Sequence, residues 1–303
     1  MSSQFTRTSD TGGKSIFSGF ASNQYVAGTK EFLESNSIVA KFAFLLLVLL
    51  LFVIALRLGT SILSWIFSPS PNPILVNGMI DAKQMMRIPQ DPATPGAIPI
   101  LRSRNAADGL VFTWSVWINI DDLSYRENEY RHIFHKGNDD INVTNPPVGM
   151  NHPNNAPGLY IAPGTNNLVV VMNTFTNPNE EIVISDIPLN KWLNVIIRVD
   201  EQHVMDVYIN GRLTRRHILS DVPRQNYGDV FLSMNGGFSG YTSCLRYFNS
   251  AIGTNQIQSI VDQGPCLNMI GGNMHAVPRY LSLRWFFAGQ GDQYNPTHPM
   301  VKN

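Results

Sequence analysis

The chain has 303 residues, of which 44% are hydrophobic and 15% charged, and its 22 Lys and Arg balance its 22 Asp and Glu. This length is sufficient for a substantial core in one or two domains, and the zero net charge excludes the basic footprint of a nucleic-acid-binding protein. The two cysteines, Cys244 and Cys266, are too few for a disulfide-rich scaffold or for a zinc site built on cysteines.

The first 36 residues are rich in Ser, Thr, Gly and Asn, with isolated aromatic side chains. This composition is typical of a solvated chain that buries too little apolar surface to fold. The aromatic side chains are alternatively docking points for a partner or for a membrane surface. We predict that residues 1–36 form a polar flexible tail.

A run of fifteen apolar residues, 42–56, lies between Lys41 and Arg57. If both charged side chains snorkel to the interfaces, a helix over residues 38–58 covers roughly 31 Å, which matches the hydrocarbon core of a bilayer. Trp65 follows among further apolar residues, as is typical of an aromatic belt at a membrane interface. We predict a single transmembrane helix with its interfacial segment over residues 37–67, anchored by Lys41, Arg57 and Trp65.

The alternatives to a membrane anchor are a buried core helix and a cleaved signal peptide. The apolar run begins about forty residues into the chain and has no small-residue cleavage site of the usual kind, which argues against a signal peptide. Lys30 and Lys41 precede the run, whereas Arg57 follows it. This bias favours a cytosolic N-terminus.

Prolines punctuate the segment after the apolar run, at positions 71, 73, 89, 92, 95 and 99. They prevent a long regular element and favour an extended chain, so residues 68–104 are predicted to form a proline-rich stalk. Alternatively, residues 98–101 pack on the following domain as an edge strand.

Residues 105–267 consist of short apolar runs separated by turns rich in Gly, Pro and Asn, which predicts an all-β domain. Residues 112–120 alternate apolar and polar side chains and thus predict a core strand with one apolar face. Further strands are predicted near 133–134, 158–161, 168–172, 182–184, 192–199, 230–234 and 241–248, with one short helix over 254–261. This order predicts a two-sheet sandwich or jelly roll.

The dipeptide Asn210-Gly211 lies between two amphipathic runs, 205–209 and 212–215. Both of its residues tolerate the positive φ that a two-residue type I′ turn requires, so the sequence predicts a β-hairpin. Counting back from the turn places Ile209 opposite Arg212, Tyr208 opposite Leu213, and Asp206 opposite Arg215 as a cross-strand charge pair.

Few residues are candidates for metal binding. His132 and His135 are three positions apart in a predicted strand, which points their rings to opposite faces and disfavours a shared metal. Asp139, Asp140 and Asn142 form an oxygen-rich loop that could hold calcium, although such loops are more often simply solvated.

Two covalent features depend on the compartment. Cys244 lies on a predicted strand and Cys266 follows the predicted helix, so they form a disulfide if the helix folds back over the sheet. That bond would add ~3 kcal/mol of stability in the chain-entropy account, but only in an oxidising compartment. Asn142-Val143-Thr144 is a glycosylation sequon that matters only on a lumenal or external face.

The order of four motifs resembles the laminin G and pentraxin group of concanavalin A-like domains over residues 100–267. These motifs occupy residues 191–195, 207–212, 237–241 and 245–249. The resemblance implies a jelly-roll sandwich that binds sugars, proteins or calcium, or that serves as a scaffold. Glycosidases of this fold carry a Glu-x-Asp-x-x-Glu strand, which this sequence lacks, so we expect no enzyme and no cofactor other than a possible calcium ion.

The combination of a polar tail, a membrane span and one such domain also resembles membrane-anchored minor capsid or virion proteins of large icosahedral DNA viruses. The favoured hypothesis is therefore a non-enzymatic structural protein of a virion membrane or capsid, which ties the membrane to neighbouring proteins. The alternative is a membrane-displayed lectin-like or adhesion module that binds a glycan. A sugar-active enzyme, the third possibility, would need converging carboxylates. Residues 268–303 are a C-terminal extension whose segment 285–287 packs on the sandwich or meets a neighbouring protein.

Overall fold

The computed structural model describes residues 37–103 and 110–270, in two compact units that divide after Ser68. The predicted tail over residues 1–36 lies outside the described residues. So does the C-terminal extension beyond Ile270, including the segment 285–287.

The first unit contains helix α1, Ile38–Ile66, whose 29 residues are almost entirely exposed. Leu, Ala and Phe fill the helix without a proline, so nothing interrupts its backbone hydrogen bonds. Within residues 37–103 and 110–270, α1 is the one helix long and apolar enough to cross a membrane. Its length is about 43 Å, which exceeds the roughly 30 Å thickness of the hydrocarbon core. The helix therefore continues beyond residues 38–58, the part predicted to match that core.

The last turns of α1 are amphipathic. Leu58, Ile62 and Trp65 share one side of the helix, and three short polar side chains, Thr60, Ser61 and Ser64, lie with Arg57 on the other side. Such a pattern suits a helix end that leaves the hydrocarbon and enters the interface. The role of Lys41, Arg57 and Trp65 as membrane anchors stays a prediction.

The second unit contains twelve strands, a 3₁₀ turn and a second helix among the described residues. Their bounds are β1 Met79–Asp81, β2 Met86–Ile88, β3 Phe112–Asp122, β4 Arg131–Gly137, β5 Gly158–Ile161, β6 Leu168–Met172, β7 Glu180–Ile184, β8 Leu193–Val199, β9 Val204–Ile209, β10 Arg212–Ile218, β11 Asp229–Leu232, the 3₁₀ turn Met234–Gly236, β12 Ser239–Phe248 and α2 Thr254–Gln263.

The strands form two antiparallel sheets of six. The first sheet has the order β1-β12-β3-β8-β9-β10, and the second has the order β2-β11-β4-β5-β6-β7. The prediction of an all-β, two-sheet sandwich preceded by one apolar helix is confirmed.

The core fills the space between the two sheets. The predicted apolar face of β3 is buried there, with Trp114 at the centre, its ring 5.3 Å from Phe134 and 5.1 Å from Tyr247. The opposite face of β3 is buried as well, because α2 and the preceding loop cover the first sheet from outside. The residues of this outer cluster are Ile196, Tyr208, Phe248, Ile252, Ile257 and Ile260.

The segment predicted to be a stalk is part of the sandwich. β1 pairs with β12 and β2 pairs with β11, so the segment supplies one outer strand to each sheet. Before β1, the Leu75 N–H donates to the Leu245 carbonyl (2.8 Å), and Leu75 and Ile80 enter the core. The prediction of a free stalk is wrong because the prolines flank these short strands and leave their backbone donors available.

The alternative prediction for this segment named the wrong residues. Residues 98–101 form no strand, but Ile98 and Ile100 pack against the core. The Ile98 N–H donates to the Pro89 carbonyl (3.0 Å), and the Ile100 N–H donates to Gln90 Oε1 (2.9 Å).

The Asn210-Gly211 hairpin is confirmed, with φ of 48° and 78° at its two turn residues. Ile209 opposes Arg212 and Tyr208 opposes Leu213, as predicted. The predicted pairing of Asp206 with Arg215 is wrong, because a β-bulge between Leu213 and Arg215 inserts one extra residue and shifts the register. Asp206 therefore opposes Arg216.

The two cysteines are joined by a disulfide between β12 and the segment after α2, with their Cα atoms 5.6 Å apart. That segment then runs beside β1, where the Met79 N–H donates to the Asn268 carbonyl (2.8 Å) and the Ile270 N–H donates back to Met79 (2.9 Å). The disulfide thus fastens the described end of the chain beside the first strand of the sandwich.

Candidate functional site

Three connections meet at one end of the sandwich. Arg131 pairs with Ile161, Ile161 with Leu168, and Leu168 with Ile184, so β4 and β6 begin where β5 and β7 end. The connection from β3 arrives at the same end because it leads directly into Arg131. Residues 123–130, 162–167 and 185–187 are therefore neighbours in space although they are distant in sequence.

These connections line an open cleft of about 650 Å³, a volume within the usual range of small-molecule sites. Leu123 is its one large apolar lining residue, and the rest of the lining carries carboxylate, amide or hydroxyl groups or is glycine. The lining residues are Leu123, Ser124, Glu127, Gly164, Thr165, Asn166, Asn167, Ser185 and Asp186.

Arg131 holds two of the three connections together from below. Its side chain is buried, with the residue 1% exposed, and it donates to three backbone carbonyls. These are the carbonyls of Leu123 (2.8 Å), Ala162 (2.6 Å) and Thr165 (3.0 Å). Burial lowers the pKa of Arg131, while the nearby carboxylates of Glu127 and Asp122 act in the opposite direction. The planar guanidinium can serve three acceptors at once, which a lysine ammonium on a flexible stem does less well.

The third connection is fixed by amide side chains. The Asn166 backbone and side chain exchange hydrogen bonds with the backbone of Ile187, at 3.1 and 3.2 Å. The Asp186 N–H donates to Asn167 Oδ1 (3.3 Å). A backbone hydrogen bond from the Gly164 N–H to the Glu127 carbonyl (2.8 Å) joins the first two connections to each other. The walls of the cleft are thus organised before any ligand arrives.

Two carboxylates remain available to a ligand. Glu127 and Asp186 are exposed, lie on different connections, and accept no side-chain hydrogen bond from the described part of the chain. Together with the hydroxyls of Thr165 and Ser185 they can accept from, and donate to, the hydroxyl groups of a neutral ligand. A phosphate or other anion would instead meet like charge.

Sequence reasoning did not identify the cleft, because each of its residues lies in a polar turn that looks solvated by itself. A usable signal exists in the order of the strands. Alternating strand direction places every second connection at the same end of a sheet, so acidic and amide residues in those connections should converge.

The structure corrects the prediction for His132 and His135, whose rings lie on the same outer face of the second sheet. His132 Nε2 is 2.7 Å from His135 Nδ1. A β-bulge between His132 and Phe134 adds one residue, so Ile133 and Phe134 both point into the core and the two histidines both point outward.

The hydrogen-bond partners fix the tautomer of His132. The Met234 N–H donates to His132 Nδ1 (3.0 Å), so the hydrogen of His132 is on Nε2 and is donated to His135. His135 Nε2 lies 2.8 Å from the Asn138 carbonyl and 2.7 Å from Asn151 Nδ2. Both rings are neutral, and each ring nitrogen has a partner. Across residues 37–103 and 110–270, no three His, Cys, Asp or Glu side chains are grouped to hold a metal, including in the Asp139–Asp140 loop.

Acid is expected to destabilise the sandwich through this pair. Burial lowers the pKa of His132 well below its usual 6.5 and lowers that of His135 to about 4. In the unfolded chain both rings titrate near 6.5, so between pH 6.5 and about 4 the unfolded state binds more protons. Their contribution to stability is complete above pH 6.5 and falls as the pH is lowered through this window. Urea unfolding of the full chain at a series of pH values measures the effect.

The matched control for this experiment is His152→Gln, because His152 is exposed in the connection that follows β4. This variant should keep the full pH dependence, whereas combined His132→Gln and His135→Gln should flatten it. A wild-type stability that is constant from pH 7 to pH 4.5 would contradict the prediction.

Comparison with curated proteins gives no match. Among solved structures, the chain is similar to the receptor-binding domain of botulinum neurotoxin D, at 14% identity and a TM-score of 0.43, over 62% of this chain and 43% of that one. The chain is also similar to the botulinum neurotoxin serotype D ligand-binding domain in complex with N-acetylneuraminic acid. The identity is 14% and the TM-score is 0.43, over 64% of this chain and 46% of that one. For the receptor-binding domain of the botulinum neurotoxin C/D mosaic serotype, the identity is 16% and the TM-score is 0.41, over 52% of this chain and 37% of that one. The chain thus spans less than half the length of each of these domains.

A laminin G family model, described as the concanavalin A-like lectin/glucanases superfamily, matches residues 100–258, which is more than half of the chain. The matched region includes β3 to β12 and both correctly predicted residue pairs of the Asn210-Gly211 hairpin. The chain therefore belongs to the concanavalin A-like lectin/glucanase superfamily.

Proposed function

We propose that the chain is a non-enzymatic, membrane-anchored binding module whose sandwich holds a saccharide in the cleft at the end of its strands. The observation that carries the proposal is the cleft itself, a polar depression with two available carboxylates. Glu127 lies on a connection held by the buried Arg131, and Asp186 lies on the connection held by Asn166 and Asn167. Saccharides are recognised by just such carboxylate, amide and hydroxyl groups, since their hydroxyls both donate and accept. A lectin-like role also agrees with the superfamily to which the chain belongs.

The environment of the carboxylates favours binding over hydrolysis. Glycosidases flank the scissile bond with two carboxyl groups, one of which works as an acid within an apolar pocket. Glu127 and Asp186 are both exposed, and Leu123 is the one large apolar side chain beside them. The cleft thus offers hydrogen-bond acceptors without the enclosure that an acid catalyst uses.

The anchor in this proposal is α1, which is long and apolar enough to cross a bilayer and is almost entirely exposed. An apolar helix of this length would be costly to keep in water. The sandwich follows α1 directly in the sequence and would be displayed at the membrane surface.

Isosteric changes in the cleft should weaken saccharide binding without unfolding the chain. Glu127→Gln and Asp186→Asn each remove one charge and keep the shape, and asparagine tolerates the positive φ of 60° at position 186. Losing a charged hydrogen-bond partner should weaken binding by about tenfold or more. The measurement is binding of the full chain, in detergent micelles, to an array of glycans with calcium and with a chelator.

Asp140→Asn is the control for this array, because Asp140 is exposed and lies outside the cleft, in the oxygen-rich loop that contains Asp139 and Asn142. It should leave binding unchanged. An array without signal in either condition would refute the proposal, and release of reducing sugar from a bound oligosaccharide would replace binding with hydrolysis.

A structural role is the second candidate, in which the protein ties a membrane to neighbouring proteins, as a minor capsid protein of a large DNA virus would. The favouring observation is the exposure of two large side chains, Phe175 and Tyr227, in the segments joined by the isolated β-bridge between Thr174 and Pro223. Such residues are suited to a protein contact. Recovery of the protein from one layer of purified virus particles would support this role, and Phe175→Ser with Tyr227→Ser should then release it. Its absence from such particles would exclude it.

A further inference from the structure

One glycosylation sequon is present in the 303 residues, Asn142-Val143-Thr144. The other candidate, at Asn295, has proline in the middle position and is therefore not an acceptor. The sequon lies in the long connection between β4 and β5.

The sequon begins at the base of a closed loop, residues 142–149, and continues along that loop. The Asn142 N–H donates to the Met150 carbonyl (3.1 Å) and the Gly149 N–H donates to the Asn142 carbonyl (2.7 Å), which closes the loop at its base. Val143 is 61% exposed and Thr144 is exposed.

The side chain of Asn142 is available, unlike those of other asparagines in the same connection. Its amide makes no hydrogen bond to any described residue. Asn151 and Asn155 are fully buried, and their amides donate to the carbonyls of Asn138 and Asn151. The connection therefore uses those two asparagines for folding and leaves the amide of the half-buried Asn142 without a partner among the described residues.

A second, independent observation concerns the compartment. The disulfide between Cys244 and Cys266 is a bond that persists in oxidising compartments, which are also where sequons are modified. The excess of Lys30 and Lys41 over Arg57 favours a cytosolic N-terminal segment. A spanning α1 would then place the sandwich on the opposite, lumenal or external side.

We propose that Asn142 carries an N-linked glycan on a sandwich that faces the lumen or the exterior. The co-reactant is a lipid-diphosphate-linked oligosaccharide, used by a transferase of the cell. A bond forms between Asn142 Nδ2 and the anomeric carbon, the bond from that carbon to the diphosphate breaks, and the amide proton leaves with the lipid diphosphate. This inference rests on α1 crossing a membrane and does not depend on the cleft.

The test is expression of the full chain in cells that glycosylate secreted proteins, followed by electrophoresis with and without an enzyme that removes N-glycans. Wild type should lose the mass of one glycan on treatment. Asn142→Gln and Thr144→Ala should each migrate at the treated position, and Asn145→Gln, in the same exposed loop but outside the sequon, should behave as wild type.

Topology is tested in the same cells with Gly13→Asn in the Thr144→Ala background, since Lys14 and Ser15 complete a new sequon there. This variant should stay unmodified. A wild-type chain without a glycan, or a glycan on the Gly13→Asn variant, would overturn the proposal. A thiol-alkylating reagent added without a reductant verifies that the unmodified variants are folded. Cys244 and Cys266 should not react in wild type or in Thr144→Ala, because they are joined by the disulfide.

Discussion

Replacing Arg131 with methionine is expected to destabilise the sandwich by about 4 kcal/mol, because three buried acceptors lose their donor, and to abolish ligand binding in the cleft. The change keeps an unbranched apolar stem but leaves the carbonyls of Leu123, Ala162 and Thr165 without their donor. A buried acceptor left unsatisfied costs about 1 to 3 kcal/mol, and the loops can rehydrate in part. Urea unfolding of the full chain in micelles, followed by tryptophan fluorescence, measures the loss.

Arg131→Lys separates the contribution to folding from the contribution to the site. Lysine keeps the charge and can satisfy one or two of the three carbonyls, so the stability loss should be smaller than in the methionine variant. The two connections joined by Arg131 would still lose their fixed spacing, so saccharide binding should fall while the chain stays folded. If Arg131→Lys binds as wild type does, the connections are positioned by other contacts and Arg131 serves only stability.

Replacing Asp206 with alanine is expected to destabilise the chain by about 3 kcal/mol, at the lower end of the cost of breaking a buried ion pair. Asp206 is fully buried and accepts from Arg198 Nη1 (2.9 Å), Arg216 Nε (2.7 Å) and Arg216 Nη2 (2.9 Å). Removing the carboxylate leaves both guanidinium groups facing each other across β9. The loss stays near the lower limit because the Arg216 side chain is 59% exposed and can be hydrated.

The two arginines of this network should respond unequally. The hydrogen bonds to Asp206 raise the pKa of Arg216, so it is charged at every accessible pH. Arg216→Ala should be milder than Asp206→Ala, since Arg198 still neutralises the carboxylate. Arg212→Ala, on an exposed position of the same strand, is the control and should leave the unfolding midpoint unchanged. Equal midpoints for Asp206→Ala and Arg212→Ala would show that the buried network contributes nothing.

Local sequence was sufficient for features that depend on neighbouring residues. Asn210-Gly211 defines its turn because its residues adopt positive φ at low cost, and the alternation through Trp114 defines which face of β3 enters the core. The length and composition of α1 predicted a membrane helix for the same reason, since burial in a bilayer depends on a continuous apolar run.

What local sequence could not supply are the positions where one strand must match another. The bulge after Leu213 brings Asp206 to Arg216, and the bulge at Ile133 brings two histidines to one face. Each bulge turns a correct strand prediction into an incorrect side-chain pairing. Whether a strand carries an extra residue is decided by packing against both neighbours, a balance that no single segment contains.

By itself, the sequence determined the apolar helix, the two-sheet β architecture and the hairpin, because each follows from the conformational preferences and burial of consecutive residues. Only the tertiary structure decided that the proline-rich segment joins both sheets, and that Glu127 and Asp186 share a cleft above the buried Arg131. These juxtapositions join residues that are far apart in the sequence, such as Met79 and Ser243, through strand order and register. Strand order and register depend on the free energy of the whole packed sandwich rather than on any local pattern.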